Sequence, residues 1–327
     1  MSAPRDGAGP VRGGAGAAGR AAATAAGAGA PAAAEAARQT GRRAGTGADA
    51  RPPDPRRHAW REDLADEALR GRVRARRFVR PGRMRVVRPV LDLRAAPGAA
   101  GLSSQLVLGA EAAVFEIADG VAWLQSLADG YVGYADAAGL APAAELPAPR
   151  WRIAAPLAHV YPRPDIKTAP LMTAPMNAQL DGEPEGDFLR TPLGFVHLRH
   201  AAPIDAPAPD FVAEAERLLG APYLWGGTTA LGIDCSGLVQ TAMAAAGRAA
   251  PRDSDMQAAE LGAPLAPDAP LRRGDLAFWR GHVGIMLCER TLLHANAHHM
   301  AVAAEPLAEA RARIARQYGE ITVFRRP

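Results

Sequence analysis

Lysine is nearly missing from this sequence: of 38 basic residues only Lys167 is a lysine, and the others are arginines. Such a bias arises from nucleotide composition as readily as from function, and the formal net charge of +4 is modest for 327 residues. Cysteine is almost as scarce. Cys235 and Cys288 are the only two, too few for a disulfide framework, so free thiols in a reducing compartment are expected. No stretch of about 18 consecutive apolar residues occurs, which leaves no candidate for a membrane-spanning helix. The H-E-x-x-H pattern and the cysteine clusters of metal hydrolases are also absent. Finally, no Leu, Ile or Phe precedes Leu64. Residues 1–58 are almost entirely Ala, Gly, Arg, Pro, Thr and Asp and hold too little apolar surface to offset the entropy of ordering, so they read as a disordered tail. A secretory signal is the rival reading of that basic, alanine-rich stretch, but Pro31 and the glycines spoil its apolar segment. The cytoplasm is therefore the expected location, with the periplasm or cell wall as the alternative.

What is present falls into blocks. Residues 59–83 form a basic lead-in, and the arginines from Leu69 to Pro89 lack the interleaved aromatics of a nucleic-acid surface, so they read as a solvated or domain-facing edge. Over 84–147, short apolar runs alternate with turns at Asp119-Gly120 and Asp129-Gly130, the pattern of a small all-β barrel. A more proline-rich β segment follows over 148–203. From 204 to 327 the pattern becomes helical and then β. Asp210 caps a helix with Phe211, Ala215, Leu218 and Leu219 as its apolar stripe, a second helix runs from Cys235 to Gly247, and strands follow at "GDLAFW", "HVGIML", "TLLHANA" and "ITVFRR". The last unit is therefore α+β, with a mostly antiparallel sheet.

Cys235 stands where that second helix begins. A cysteine there points at unpaired backbone N–H groups and the positive end of the helix dipole, which favours the nucleophilic thiolate. Its neighbours Asp234, Ser236 and Gly237 are poor partners for a merely structural buried thiol, and Gly226-Gly227 suggests backbone kept open to an approaching chain. A thiolate needs a base. His282 is a polar residue opening an otherwise apolar strand, and His294 closes a neighbouring strand where the two imidazoles can meet. The second imidazole can orient the first by accepting its ring N–H. Cys288 lies about 20 Å from His282 along the strand at ~3.3 Å per residue and is a poor rival nucleophile. Zinc is the competing use of the histidines His294, His298 and His299 in "HANAHHM".

The blocks "PYLWGGTTALGIDCSGLVQ", "RRGDLAFWRGHVGIML" and "LLHANA" resemble the signature blocks of the NlpC-type cell-wall cysteine peptidases, which have a papain-like fold. The two β segments upstream resemble the pair of bacterial SH3-like domains that marks a subgroup of γ-D-glutamyl-L-diamino acid endopeptidases. The resemblance implies Cys235 as nucleophile, His282 as base and His294 as the orienting residue. It implies that Tyr223 lines the oxyanion position, that Asp253 and Ser254 read the α-amine and D-glutamyl carboxylate of the substrate, and that Tyr131 of the first SH3-like domain walls the pocket. The subgroup's further acidic residue has no clear counterpart, with Glu111 as a candidate, and Arg252 is placed to pair with Asp253 and blunt it. The implied substrate is a peptidoglycan stem peptide, with no metal or organic cofactor and no nucleic acid. An amidase or acyltransferase on the same scaffold, or a non-catalytic wall-binding module, is the alternative.

Overall fold

The computed structural model describes residues 52–327. The tail expected over 1–58, and the signal-peptide reading of it, lie outside the described residues as far as Arg51. Pro52–His58 are a correction to that expectation. Val132 N–H donates to the Arg56 carbonyl at 2.8 Å and the Gln125 side chain to the Arg57 carbonyl at 2.8 Å, so hydrogen bonds offset the ordering cost that the missing apolar surface does not. The basic lead-in is also built into the fold. Its strands Leu64–Asp66 and Arg77–Val79 pair in parallel, and Ala59 and Leu64 pack against Phe115 and Trp123.

The first β unit has a five-stranded antiparallel sheet in the order Val132–Asp136, Val121–Ser126, Glu111–Ala118, Gly82–Val86, Leu140–Pro142, with the ribbon Val90–Leu93 and Ser104–Val107 folded over it. Its core is Val86, Leu91, Leu93, Leu106, Val114 and Leu124. Asp119 and Gly120 both have positive φ, 51° and 76°, so the tight hairpin that this pair signals does form. The second β unit repeats the idea on a smaller core of Ile153, Val160, Leu180, Leu189 and Val196, using a five-stranded and a three-stranded sheet.

The C-terminal unit opens with α1 (Phe211–Glu216), whose N-terminus is capped by Asp210 accepting from Val212 N–H at 2.8 Å. The helix is shorter than its apolar stripe suggests. The chain turns at Arg217, leaving Leu218 buried but Leu219 49% exposed. Helix α2 (Cys235–Ala245) lays Leu238, Val239 and Ala242 against Leu276, Phe278, Val283 and Ile285 of a six-stranded antiparallel sheet. Helix α3 (Ser254–Glu260) follows, and α4 (Leu307–Tyr318) leads to the strand Val323–Arg326, which pairs back onto Leu276–Trp279. The edge strand Ala301–Pro306 was not expected from the sequence. No helix of the described residues is long and apolar enough to cross a membrane.

Candidate active site

Cys235 is the first residue of α2 and is buried. Asp234 sets the start of that helix: its Oδ1 accepts from Gly237 N–H at 2.7 Å and its Oδ2 from Gly226 N–H at 2.8 Å. Arg252, 1% exposed, holds both oxygens of this carboxylate at 3.0 and 2.7 Å and also donates to Ser236 Oγ at 2.9 Å. Its Nε donates to Ser104 Oγ of the first β unit at 3.0 Å, so the guanidinium of this buried ion pair also ties the two units together. Arg252 therefore does not blunt Asp253 by pairing with it, as its place in the sequence suggested. The glycines are likewise used within the chain. A Cβ on Gly226, at φ 79°, would stand 2.7 Å from the Leu102 carbonyl oxygen, and one on Gly227 would stand 2.3 Å from that of Gly232. The approaching backbone is the protein's own.

Burial, and then the charge of Asp234, pushes the Cys235 thiol up to about 12, against the pull of the Val283 and Ser236 N–H groups on its sulfur. The expectation that the helix start alone would leave a thiolate is corrected here: in a site this enclosed, desolvation outweighs a helix terminus. Burial, and then His294, drives His282 down to about 3. Burial thus opposes charge on each of the two groups taken alone.

His282 opens the strand His282–Met286, and His294 lies on its antiparallel neighbour Thr291–Asn296. The register Ile285↔Leu293, carried one step, sets His294 opposite Gly284 on the face that His282 shares, while Leu292 fills the space over the glycine. The rings meet at 2.8 Å, His282 Nε2 to His294 Nδ1. Beyond them, His294 Nε2 lies 2.6 Å from Glu305 Oε1, and Arg313 of α4 holds both Glu305 oxygens. Burial works to raise the Glu305 carboxyl, but the bonds from His294 and Arg313 overcome it and hold the group well below the usual range. An ionised carboxylate only accepts, so His294 carries its proton on Nε2. Its bare Nδ1 then accepts from His282 Nε2–H, which leaves His282 Nδ1 as the free base nitrogen. Glu305 and Arg313 were not read from the sequence.

Beside His282 an open cleft of about 510 Å³ is lined by Tyr223, Trp225, Asn296, Arg313 and Tyr318. Burial and then the nearby Cys235 raise the Tyr223 phenol above its ordinary value, which keeps it a neutral donor. Asp253 occupies the N-cap position of α3, yet its side chain caps nothing. Tyr131 O–H donates to its Oδ2 at 3.3 Å, and Arg56 Nη1 donates to the same oxygen at 2.9 Å. Burial raises the Asp253 carboxyl, against the pull of Arg252 and Arg56. Ser254 is the half-buried first residue of α3. Glu111 is not part of this corner, being paired with Arg83 and Arg85 at 2.7 and 2.8 Å. The acids that converge there are Asp54 and Asp255. Asp255 has a sequence signal in the aspartates of the "PRDSDMQ" block, and Asp54, in "RPPDPRR", has none.

His294, His299 and Glu305 bring ligand atoms within 4.8 Å of one another, the one such group among the described residues. His298, the third histidine of the zinc reading, is outside this group. The Glu305 carboxylate already carries the Arg313 guanidinium, whose charge opposes a cation. Cys288 is exposed, and Thr291, 3.4 Å away, pulls its thiol down.

Residues 220–314 match the NlpC/P60 family, and 93–140 match the bacterial dipeptidyl-peptidase SH3 domain. The C-terminal unit is an NlpC/P60 domain. A probable endopeptidase of Corynebacterium glutamicum is 40% identical over 109 residues, 29% of this chain and 51% of its own. A γ-D-glutamyl-L-lysine dipeptidyl-peptidase of Bacillus subtilis is 36% identical over 112 residues, 31% of this chain and 37% of its own. The chain thus spans about half the length of the curated relatives it matches, or less. The crystal structure of an NlpC/P60 family protein from Bacillus cereus superposes with a TM-score of 0.64 at 21% identity, over 75% of this chain and 99% of that one. At that coverage the shared fold extends upstream of the NlpC/P60 domain into the β-rich part of the chain.

Proposed function

We propose that the protein is a cysteine peptidase that cuts the γ-D-glutamyl bond to a diamino acid in peptidoglycan stem peptides, and that its second β unit is, like the first, SH3-like. The observation that carries the reading is the chain His282–His294–Glu305–Arg313, which leaves His282 Nδ1 bare on a strand whose next residue, Val283, sets its N–H on the sulfur of the buried helix-start thiol. Charging either group alone is opposed by burial. Moving one proton from Cys235 Sγ to His282 charges both at once, and their attraction, with the Val283 and Ser236 N–H groups on the sulfur, offsets that cost. The sulfur adds to the carbonyl carbon, and the oxyanion is met by the Cys235 N–H and the Tyr223 hydroxyl. As the C–N bond breaks, His282 gives its proton to the departing amine. Water, losing a proton to His282, then releases the thioester, and the proton returns to sulfur.

Asp253 offers its charge to the substrate ammonium, Ser254 its hydroxyl to the D-glutamyl carboxylate, and Tyr131 closes the corner. A stem peptide without its free amine forgoes the charge-assisted bond to Asp253, which then keeps only Tyr131 and Arg56, at about 1–3 kcal/mol. The full protein is therefore expected to prefer L-Ala-γ-D-Glu-diaminopimelate over the same peptide joined to muramic acid. Comparing kcat/KM for the two tests this, and equal values would point to wall trimming. Mass spectrometry of the products from one defined muropeptide separates hydrolysis at this bond from amidase or acyltransferase chemistry; no product at all would leave a binding module.

In this scheme His294 orients and does not exchange protons. His294→Gln can still accept from His282 and donate to Glu305, so it is expected to keep more activity than His294→Ala, within the ~10²- to 10⁴-fold that such acid–base machinery supplies. Equal losses in two correctly folded variants would remove the orienting role.

A further inference from the structure

Arg56 reaches the substrate corner from the opposite end of the chain, and its guanidinium meets three carboxylates there. Nη2 lies 2.7 Å from Asp54 and 2.9 Å from Asp255, and Nη1 lies 3.1 Å from Asp255 and 2.9 Å from Asp253 Oδ2. Nε adds two contacts of 3.2 Å to Asp54. Backbone bonds hold the residue in place, its own N–H on Asp54 Oδ1 at 2.9 Å and its carbonyl on Val132 N–H. The same Asp253 oxygen also takes the Tyr131 hydroxyl. Arg57 pairs with Glu260 alongside and adds no net charge.

We propose that Arg56 is a specificity-determining residue that limits how strongly this site selects a free α-amine; the proposal rests on the reading of Asp253 as the amine anchor. An incoming ammonium meets a like charge already standing on the carboxylate it needs. With three acids ionised and one guanidinium among them, the corner carries two negative charges, whereas without Arg56 it carries three. A cation within a few ångströms of another in a half-buried site repels it by far more than it would in water. Arg56 does not have to leave for substrate to bind. Only the Nη1 bond to Oδ2 involves Asp253, and the bonds to Asp54 and Asp255 keep the side chain in place when that one is given up. The residue therefore tempers the selection without abolishing it, widening the range of peptide ends that the cleft accepts.

The test compares L-Ala-γ-D-Glu-diaminopimelate with its N-acetylated form in the full-length protein. Arg56→Gln removes the charge but keeps an amide donor. The ratio of kcat/KM for the free-amine peptide over the acetylated one is expected to rise on the order of tenfold, with the gain in KM. Arg56→Lys, which restores the charge, is expected to return the wild-type ratio. The same order of affinities should appear as Kd values in a Cys235→Ala background, where turnover plays no part. A ratio that holds or falls in Arg56→Gln overturns the proposal, a fall marking Arg56 as a support of Asp253. If the wild-type protein cleaves neither peptide, the reading of Asp253 fails first and takes the proposal with it. Cleavage of both with no rise in the ratio removes the role of Arg56 alone.

Discussion

Cys235→Ser is expected to lose at least ~10³-fold in kcat/KM on a stem peptide while still binding it. The reason lies in the resting state of the site. Burial already holds the Cys235 thiol at about 12 and the His282 imidazole at about 3, so in the proposed scheme even sulfur gives up its proton only because the charged pair forms together against two backbone N–H groups. A serine hydroxyl is a far weaker acid and its oxygen a poorer nucleophile, so the same imidazole cannot activate it. Substantial hydrolysis by the serine variant would remove Cys235 from the mechanism. Cys288→Ser is the control and is expected to keep full activity. It also repairs a tempting assay. Exposed, and with its thiol pulled down by Thr291, Cys288 should take mild alkylating reagents before Cys235 does. Labelling therefore reports on the nucleophile only in the Cys288→Ser background, where inactivation by iodoacetamide should track modification of Cys235 and be slowed by substrate.

The features legible in the sequence were those that local chemistry dictates. Asp210 announces its helix because a capping carboxylate has to sit within three residues of the N–H it accepts, and Asp234, not read as a cap, plays the same part at α2. His282 and His294 could be paired because alternation along a strand and antiparallel neighbours fix which side chains share a face. Features that depend on distant parts of the chain were not legible. Glu305 lies on an edge strand whose "AVAAEP" has little alternation, and Arg313 reaches it from α4, so neither advertises its link to His294. Arg252 and Asp253 are chain neighbours, which suggested a pair. In the fold, successive side chains entering α3 diverge, one into the buried layer under Cys235 and the other toward Tyr131. Arg56 was missed because composition alone argued against order in its segment. Composition measures apolar burial, and this segment is held by polar contacts with the first β unit and α3.

The buried pair beneath the cysteine carries the largest stability prediction. Arg252→Met keeps much of the side-chain volume but leaves Asp234, buried at the start of α2, without its counter-charge. Breaking such a pair on one side is expected to cost about 3–5 kcal/mol, because an unpaired carboxylate must be kept out of water. Local geometry argues for the upper part of that range. Both Asp234 oxygens are already committed to the N–H groups of Gly226 and Gly237, so water cannot replace the guanidinium without loosening the turn and helix start that aim Cys235. The loss should register as a fall in the chemical denaturation midpoint, monitored by far-UV circular dichroism, and as a further drop in kcat in protein that remains folded. Adding Asp234→Asn to Arg252→Met removes the stranded charge while leaving an acceptor for one of the two N–H groups. The double variant is therefore expected to regain part of the stability lost by the single one. If the double variant is no more stable than Arg252→Met, the pair matters through the shape it fills and not through its charge.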